Sequence, residues 1–511
     1  MRRAGKCVPA GRRKKMDNFV IETASGKVRG FAEDGQIAFR GIPYAMPPVG
    51  ELRLKRAVPV KPWEGVLDAM AYGPKAVQYN DGVCEGSEDC LTLNIRRPME
   101  GENLPVLVYI HGGGYNSGCA SDELYHGKSF VSHGIVYVSF QYRLNVFGFY
   151  DFTGYPGCEE FDSNCGLSDH IVAMQWIHEN IRAFGGDPER VTIAGESAGG
   201  TSMIALMAAP GAKGTFGQVI ASSALPNCFF TKETAKKNID LFLEGIGWTE
   251  KDLPRLKEID AYEVLKGNEY VAKEHQYRNP GIFLPTVSID DLLPERPLEA
   301  IARGSAEGIR LMIGSNLHEG TMFVRPEQTN FPNSWDMVRE MFVKNHNEAG
   351  FARIKDYYEK GNDGSVNGVE MAFINFATDY AFQMPAVRTA QAQKGHGPVW
   401  MYRYEFISQM ARKTGMLCSH AMDLPCDFNC LEFGFSAFVF QDEPKENVEK
   451  IVNDVHLRWV NFIKTGDPGQ DWPQYAGYDS PVMIYDRTSG ARQLDRTKLM
   501  DVWGDMRFYE D

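Results

Sequence analysis

The chain has 511 residues, a formal net charge of −13 at pH 7, and ordinary globular proportions of 43% hydrophobic and 24% charged residues. These proportions exclude a disordered or fibrous protein. The acidic excess argues against nucleic-acid binding by the folded body. No apolar run approaches the roughly 18 to 20 residues that cross a bilayer, so a membrane partner is not expected either.

The first sixteen residues depart from this acidic character. They carry seven basic side chains and no acidic one. We expect residues 1–16 to be a disordered basic tail, or sequence upstream of a start at Met16; an arm that binds nucleic acid or a membrane surface has the same composition. No apolar stretch of about 7 to 15 residues follows, so no secretory signal is predicted. Ten cysteines without paired spacing suit a reducing compartment, and we predict a cytoplasmic location.

Between about residues 20 and 229, short β-branched runs alternate with longer amphipathic stretches. This alternation is typical of α/β proteins with a mostly parallel central sheet flanked by helices. Periodicity predicts two helices, Ser168–Phe184 and Thr201–Met207. Five runs are predicted as strands: Val106–Ile110, Ile135–Phe140, Val191–Ala194, Arg310–Gly314 and Val399–Tyr404.

Two later stretches, residues 232–279 and 331–363, are more polar and mainly helical in pattern. No linker, repeat or low-complexity tract separates them from the rest. We therefore predict helical insertions over the sheet of one elaborated domain that spans residues 17–511.

The segment Gly195-Glu196-Ser197-Ala198-Gly199 lies between a predicted strand and a predicted helix. G-x-S-x-G in that context is a nucleophile elbow, whose glycines leave room for a strained backbone and an exposed serine hydroxyl. An ordinary turn can have the same five residues. The flanking strand and helix favour Ser197 as a nucleophile.

A glycine-rich turn, His111-Gly112-Gly113-Gly114-Tyr115, follows the strand that ends at Ile110. Consecutive glycines can direct backbone N–H groups at a substrate oxygen. We predict an oxyanion hole formed by the N–H groups of Gly113, Gly114 and Ala198. A flexible loop or a phosphate cradle is the alternative, but neither the Walker nor the dinucleotide-binding pattern is present. His111 is expected to be a structural hydrogen-bonding residue.

Together with further motifs, these segments resemble the type-B carboxylesterase and cholinesterase family. Within that family, they are most similar to the bacterial and fungal esterases. The similarity extends along nearly the whole chain and implies the α/β-hydrolase fold. The matching segments are residues 39–45 (FRGIPYA), 47–50 (PPVG), 87–94 (SEDCLTLN), 164–169 (NCGLSD), 184–188 (FGGDP), 195–200 and 465–473.

The resemblance implies a catalytic glutamate in an acidic-Gly pair after a later strand. Glu319, which precedes Gly320, fits this description, and Glu307 fits it less well. The resemblance also implies supporting positions near the triad for Glu196 and Ser223.

The base implied by the resemblance is a histidine with an acidic residue three positions later. His420 meets this condition among eleven histidines, whereas His396 and His456 are expected to be structural or exposed. The order Ser197, Glu319, His420 is the nucleophile, acid, base order of α/β-hydrolases.

A zinc site is an alternative interpretation of the same region, because Cys418, His420, Cys426 and Cys430 lie close together in the sequence. Their spacing fits none of the usual zinc knuckles. Free cysteines are commonly small buried apolar residues. We therefore predict no metal and no organic cofactor.

The predicted function is serine carboxylic-ester hydrolysis through an acyl-enzyme, with small neutral or hydrophobic esters as substrates. One alternative is a non-catalytic adhesion or scaffold member of the same family, although such members typically lose the nucleophile. Another is a triad hydrolase of amides, thioesters or carbamates, since specificity depends on the shape of the pocket.

Several positions depart from the family pattern. Ala76 stands where secreted relatives place the cysteine that pairs with the position of Cys90, so Cys90 is predicted to be free unless it pairs locally with Cys84. Residues 78–87 contain no tryptophan, which disfavours a choline-specific esterase. Thr92 and Asn145 replace the usual tyrosine and glycine, and we expect these changes to affect packing more than mechanism.

Overall fold

The computed structural model describes residues 19–80, 82–278, 286–327, 331–494, 496–504 and 506. The basic segment 1–16 lies outside the described residues, as does residue 279 at the end of the first predicted insertion. Within the described ranges, no helix is both long enough and apolar enough to cross a membrane.

The strands are numbered in chain order. They are β1 (Phe19–Thr23), β2 (Gly26–Glu33), β3 (Gln36–Pro43), β4 (Val66–Asp68), β5 (Gln78–Asn80), β6 (Val83–Glu85), β7 (Thr92–Pro98), β8 (Leu104–Ile110), β9 (Val136–Phe140), β10 (Gly186–Glu196), β11 (Gln218–Ser222), β12 (Arg310–Asn316), β13 (Ser365–Val366), β14 (Val369–Glu370), β15 (Val399–Tyr404), β16 (Val482–Tyr485) and β17 (Gly490–Arg492).

The α-helices are numbered in the same way. They are α1 (Lys128–Ser132), α2 (Asn145–Phe149), α3 (Cys165–Asn180), α4 (Ala198–Ala208), α5 (Lys232–Ile246), α6 (Ala261–Arg278), α7 (Pro297–Ala302), α8 (Trp335–Lys344), α9 (Phe351–Lys360), α10 (Met371–Thr378), α11 (Met384–Gln393), α12 (Gln409–Thr414), α13 (Leu424–Asp427), α14 (Gly434–Phe440), α15 (Lys445–Thr465) and α16 (Arg496–Trp503).

One large sheet organises the chain, with strand order β1-β2-β3-β7-β9-β8-β10-β11-β12-β15-β16-β17 and β4 beside β2. Every pair from β9 to β16 along this order is parallel. The pairs that join β1, β2, β3, β7 and β9 are antiparallel, as is the final pair, β16 with β17. The prediction of a mostly parallel sheet flanked by helices is confirmed for the part that carries the predicted site.

Both faces of this sheet are covered. Alternate residues of β8 belong to opposite cores, Val106 and Val108 to one and Leu107 and Tyr109 to the other. Because side chains alternate across a strand, this division places a hydrophobic core on each face. Strands buried on both faces read as continuous apolar runs, which is why β8 and β9 were recognisable in the sequence.

The predicted elements are present with shifted ends. Residues 399–404 form β15 as predicted, and β12 extends two residues beyond Gly314. The first predicted helix begins at Cys165, ends at Asn180 and continues as a 3-10 turn to Phe184. The second, α4, begins at Ala198, directly after Ser197, and so starts before the predicted Thr201.

The segments predicted as insertions are helical where they are described. Residues 232–278 contain α5 and α6, which pack against each other around Gly245 and Tyr270, where a Cβ on the glycine would lie 2.4 Å from the tyrosine. Residues 331–363 contain α8 and α9.

Candidate active site

Ser197 occupies the sharp turn between β10 and α4. Its backbone has φ 59° and ψ −123°, a conformation that residues with side chains rarely adopt. Close packing explains the neighbouring glycines: a Cβ on Gly195 would lie 2.5 Å from the backbone of Gly199, and one on Gly199 would lie 2.1 Å from the carbonyl of Ile110. The turn therefore has the strained strand-to-helix geometry expected of a nucleophile elbow.

The glycine-rich loop after β8 lies directly against this turn. A Cβ on Gly112 would lie 3.1 Å from Cβ of Ser197 and 2.7 Å from the carbonyl of Glu196. Gly113 and Gly114 both have positive φ. No hydrogen bond within the described residues uses the N–H groups of Gly113, Gly114 or Ala198. The structure thus places the glycine-rich loop, which carries two of the three predicted N–H groups, against the turn that holds Ser197 and Ala198.

His111 is the structural residue that the sequence predicted. It is buried, it stacks on Tyr142 with ring centroids 4.5 Å apart, and its Nδ1 contacts the carbonyl of Gly112 at 2.8 Å. Burial lowers the pKa of His111 to about 4, so the ring is neutral at physiological pH.

Glu319 and His420 are in direct contact. His420 Nδ1 donates to Glu319 Oε2 at 2.5 Å, and both side chains are buried. Glu319 begins a 3-10 turn just after β12, and His420 lies between β15 and α13. The pair thus joins a carboxylate and an imidazole from segments 101 residues apart.

The weaker candidates lie elsewhere. Glu307 and His396 pair with each other at 2.8 Å in an exposed position. His456 is buried between Ser129 Oγ and the carbonyl of Asp427, at 2.8 and 2.7 Å.

Sheet register explains why Ser223 supports Glu319. Glu196, Ser222, Gly314 and Tyr402 lie in one row across β10, β11, β12 and β15, so the carboxyl ends of these strands meet at the same edge. Ser223 Oγ donates to Glu319 Oε1 at 2.6 Å, and the same oxygen accepts from the N–H of Asn316 at 2.6 Å. These two donors fix the carboxylate that faces His420.

Asp423 is a second buried carboxylate near the histidine. In the sequence analysis it served only to select His420, as the acidic residue three positions later. It accepts from Ser222 Oγ at 2.8 Å and from the Asn316 amide at 3.1 Å, and the Asn316 amide also donates to the carbonyl of Ser419 at 2.9 Å. This network connects β11 and β12 to the segment that carries His420. The sequence indicated Asp423 only through its position three residues after His420. Its hydrogen-bond partners depend on the order of the strands.

Glu196 lies on the other side of the imidazole. Its Oε1 is 3.0 Å from His420 Nε2, outside hydrogen-bond geometry, and both atoms are buried without a hydrogen-bond partner. Burial alone would lower the pKa of His420, but the charges of Glu196 and Glu319 outweigh it and raise that pKa to about 9. Burial raises the pKa of Glu196 to about 8, although His420 opposes the rise.

Aromatic rings complete the surroundings of the histidine. Phe323 and Phe382 have ring centroids 5.2 and 4.9 Å from that of His420, and they stack on each other. Neither residue carries a local sequence signal, because both reach the imidazole through tertiary packing.

The four residues of the zinc interpretation have separate partners. The Cys418 thiol contacts the carbonyl of Tyr404 at 2.8 Å, Cys426 contacts the Tyr404 hydroxyl at 3.4 Å, and Cys430 contacts the carbonyl of Glu123 at 3.8 Å. Together with the contact of His420 to Glu319, these partners leave no shared centre for a metal. In the described part of the chain, no group of three or more His, Cys, Asp or Glu side chains is arranged to hold a metal ion.

The departures from the family pattern are local. Cys84 and Cys90 are both free thiols, so the local bridge between them is absent. Asn145 has φ 48°, and its amide donates to the carbonyl of Val77 at 2.8 Å. Asparagine is among the few residues other than glycine that adopt this backbone conformation readily. The asparagine that replaces the usual glycine at position 145 is therefore accommodated in the packing.

Comparison with known proteins identifies the family. The family model described as "Carboxylesterase family" matches residues 17–503. The para-nitrobenzyl esterase of Bacillus subtilis (strain 168) is 34% identical over 484 residues, which cover 92% of this chain and 95% of that protein. The phenmedipham hydrolase of Pseudarthrobacter oxydans is 31% identical, with 91% and 94% covered.

A solved structure of a PNB esterase superposes with a TM-score of 0.83 at 33% identity, covering 94% of this chain and 99% of the other. The fold is therefore the α/β-hydrolase fold, and the chain belongs to the type-B carboxylesterase and cholinesterase family.

Proposed function

We propose that the chain hydrolyses carboxylic esters, with Ser197 as nucleophile, His420 as general base and Glu319 as the acid that orients the imidazole. The observation that carries this proposal is the buried 2.5 Å contact from Glu319 Oε2 to His420 Nδ1, which leaves Nε2 free of hydrogen bonds beside the Ser197 turn. A base held in this tautomer by a carboxylate is the arrangement of serine hydrolases.

The first chemical step is acyl transfer. Ser197 Oγ attacks the carbonyl carbon while its proton passes to His420 Nε2, and the imidazolium then protonates the leaving alkoxide so that the alcohol departs. Water repeats the sequence on the acyl-enzyme, releases the acid and restores the serine. Catalytic hydrogen bonds of ligand-free enzymes often form fully only when substrate binds, so the Ser197 to His420 bond is expected in the complex.

The tetrahedral oxyanion would be held by the N–H groups of Gly113, Gly114 and Ala198. Their support is that no carbonyl in the described chain uses them and that Gly112 packs against Ser197. Losing one such donor typically costs about 10²- to 10³-fold in rate. No step in this chemistry requires a metal or an organic cofactor.

Small neutral or hydrophobic esters are the proposed substrates. The support is the aromatic surrounding of His420 by Phe323 and Phe382 and the names of the relatives, a para-nitrobenzyl esterase among them. A cytoplasmic location is also proposed, because Cys84, Cys90, Cys418, Cys426 and Cys430 are all free thiols.

The test compares the wild type with Ser197→Ala, and with Ser132→Ala as a matched control at an exposed serine. Hydrolysis of short-chain p-nitrophenyl esters is followed, and an organophosphate adduct is mapped by mass spectrometry. Turnover and labelling of Ser197 are expected in the wild type and in the control only. A folded wild type that neither turns over any ester nor takes the label would favour the scaffold alternative instead.

The bond that is cleaved is tested with matched substrates. The p-nitrophenyl ester and the p-nitroanilide of the same acid differ only in the scissile bond. Rates on the ester that exceed those on the anilide by orders of magnitude support the proposal. The reverse order would assign the triad to amide hydrolysis.

A further inference from the structure

The glycine turn at residues 112–114 is held in place through its carbonyl groups. The Gly113 carbonyl accepts from the N–H groups of Asn116 and Ser117, both at 3.0 Å, and from Ser117 Oγ at 3.3 Å. In a trans peptide unit, the C=O and the N–H that follows it point in opposite directions. The donors on the Gly113 carbonyl therefore fix the direction of the Gly114 N–H, one of the two that this turn would supply to an oxyanion.

The preceding peptide unit is fixed by the far end of the same loop. The Gly112 carbonyl accepts from His111 Nδ1 at 2.8 Å, so the N–H of Gly113 points the other way. Gly118 packs directly on this pair. It has φ 103°, and a Cβ on it would lie 2.6 Å from the Gly112 carbonyl oxygen and 2.7 Å from His111 Nδ1. The position of Gly118 therefore limits where the Gly112 peptide unit can lie.

Gln78, at the start of β5, holds Gly118 by both of its backbone polar groups. The N–H of Gly118 donates to Gln78 Oε1 at 2.9 Å, and Gln78 Nε2 donates to the Gly118 carbonyl at 3.0 Å. Nε2 also donates to the carbonyl of Ala76 at 3.0 Å, and the side chain is buried. Because its two amide hydrogens and its oxygen are all used, the Gln78 amide is held in one orientation.

A second connection joins the segment of Gln78 to the same loop. Asn145, the first residue of α2, donates from its side-chain amide to the carbonyl of Val77 at 2.8 Å. Its backbone N–H donates to the carbonyl of Tyr115 at 2.6 Å. The segment of Gln78 is therefore attached to the loop at two places, directly after the glycine turn and again at Gly118.

We propose that Gln78 is a positioning residue for oxyanion stabilisation, and this role rests on the proposed ester hydrolysis. Through Gly118, Gln78 holds the N–H groups of Gly113 and Gly114 in the direction that a tetrahedral oxyanion requires. Its action is indirect, because its hydrogen bonds go to backbone groups of the loop and of its own segment. Donors that are fixed in advance act on the charge that develops in the transition state, so Gln78 should affect kcat more than KM.

The test uses two matched substrates. One is a p-nitrophenyl ester, and the other is the p-nitrophenyl thionoester of the same acid, in which sulfur replaces the carbonyl oxygen. Sulfur is larger and accepts hydrogen bonds more weakly than oxygen, so well-placed N–H donors favour the oxygen ester. The ratio of the two kcat/KM values therefore measures how well the donors are placed, and it does not depend on the amount of folded enzyme.

Gln78→Met keeps the length of the side chain and removes its amide. It should lower kcat for the oxygen ester about tenfold or more, with little change in KM, and lower the oxygen-to-sulfur ratio by a similar factor. Gln78→Glu keeps the shape and the acceptor for the Gly118 N–H, and it should lower the ratio less. The charge of this second variant acts on both substrates alike, so it cancels in the ratio.

Gln393→Met is the matched control. Gln393 is also a buried glutamine, and it donates to the carbonyls of Ala306 and Ile309 at 3.0 and 2.9 Å, beside the amino end of β12. Its ratio should equal that of the wild type, even if the variant is less stable.

A lower ratio in the Gln78 variants, with an unchanged ratio in the control, would support the positioning role. Wild-type ratios in the Gln78 variants would overturn it while leaving ester hydrolysis intact, as would an equal fall in Gln393→Met. A folded wild type that hydrolyses neither substrate would instead overturn the proposed function, and the positioning role with it.

Discussion

Glu196 Oε1 and His420 Nε2 lie 3.0 Å apart, on the side of the imidazole opposite Glu319. The imidazole is therefore placed between two buried carboxylates. Because each negative charge favours the imidazolium, the position of Glu196 influences the pH at which the base becomes neutral.

Glu196→Gln is expected to move the acidic limb of kcat/KM to lower pH. The base must be neutral to accept the serine proton, so activity rises as pH rises through the pKa of His420, which is raised to about 9 in the wild type. Removing the charge of Glu196 destabilises the imidazolium. The midpoint of the acidic limb should therefore shift to lower pH by about one unit or more. The measurement is the pH profile of p-nitrophenyl ester hydrolysis.

Glu299→Gln, on α7, is the matched control and should leave that profile unchanged. An unchanged profile in Glu196→Gln as well would mean that Glu196 does not act on the protonation of His420.

Ser223→Ala is expected to lower kcat about tenfold with little change in KM. The substitution removes the 2.6 Å hydrogen bond to Glu319 Oε1, while the N–H of Asn316 remains as a donor. Hydrogen bonds to charged groups contribute about 1.5 to 3 kcal/mol, and the loss acts on the orientation of the carboxylate. Steady-state kinetics of the variant provide the measurement.

A double-mutant cycle separates this role from a general structural one. In a Glu319→Gln background, Ser223→Ala should cost much less than it does in the wild type, because the group that it orients has already been changed. Equal losses in the two backgrounds would show that Ser223 acts independently of Glu319.

Gly112→Ala is expected to reduce kcat by about 10² or more without unfolding the protein. The added Cβ would lie 3.1 Å from Cβ of Ser197 and 2.7 Å from the carbonyl of Glu196, so the elbow and the adjacent N–H groups must shift. Gly217→Ala is the matched control, because its Cβ would meet nothing within 4 Å. The measurements are steady-state kinetics and thermal unfolding of both variants. Wild-type activity in Gly112→Ala would contradict the close packing of Gly112 against Ser197.

Asp169→Asn is expected to destabilise the fold by about 3 to 5 kcal/mol. Asp169 and Arg143 form a buried pair with a shortest contact of 2.6 Å, and removing one charge leaves the other buried and uncompensated. Asp240→Asn, which breaks the exposed pair with Lys236 at 2.8 Å, should cost less than about 1 kcal/mol. Urea unfolding of both variants gives the comparison, and similar losses in the two would contradict the argument from burial.

The sequence by itself determined the local parts of this protein. The elbow around Ser197 and the glycine turn at residues 112–114 are recognisable because strained or crowded backbone requires glycine at fixed positions. The central strands are recognisable because strands buried on both faces are continuous apolar runs. The ends of the strands were predicted less accurately than their centres. The last residues of β10 and β12 are paired only because neighbouring strands are present.

Tertiary structure decided which separated residues meet. Glu319 and His420 were selected in the sequence by resemblance alone, and their 2.5 Å contact follows from the adjacency of β12 and β15. The supporting contact of Ser223 depends on the same register, because β11 ends beside β12. The family resemblance alone indicated that Glu196 lies near the triad, because a glutamate next to a serine is equally compatible with a solvated surface position. Burial at the shared edge of the parallel strands makes these charges interact strongly.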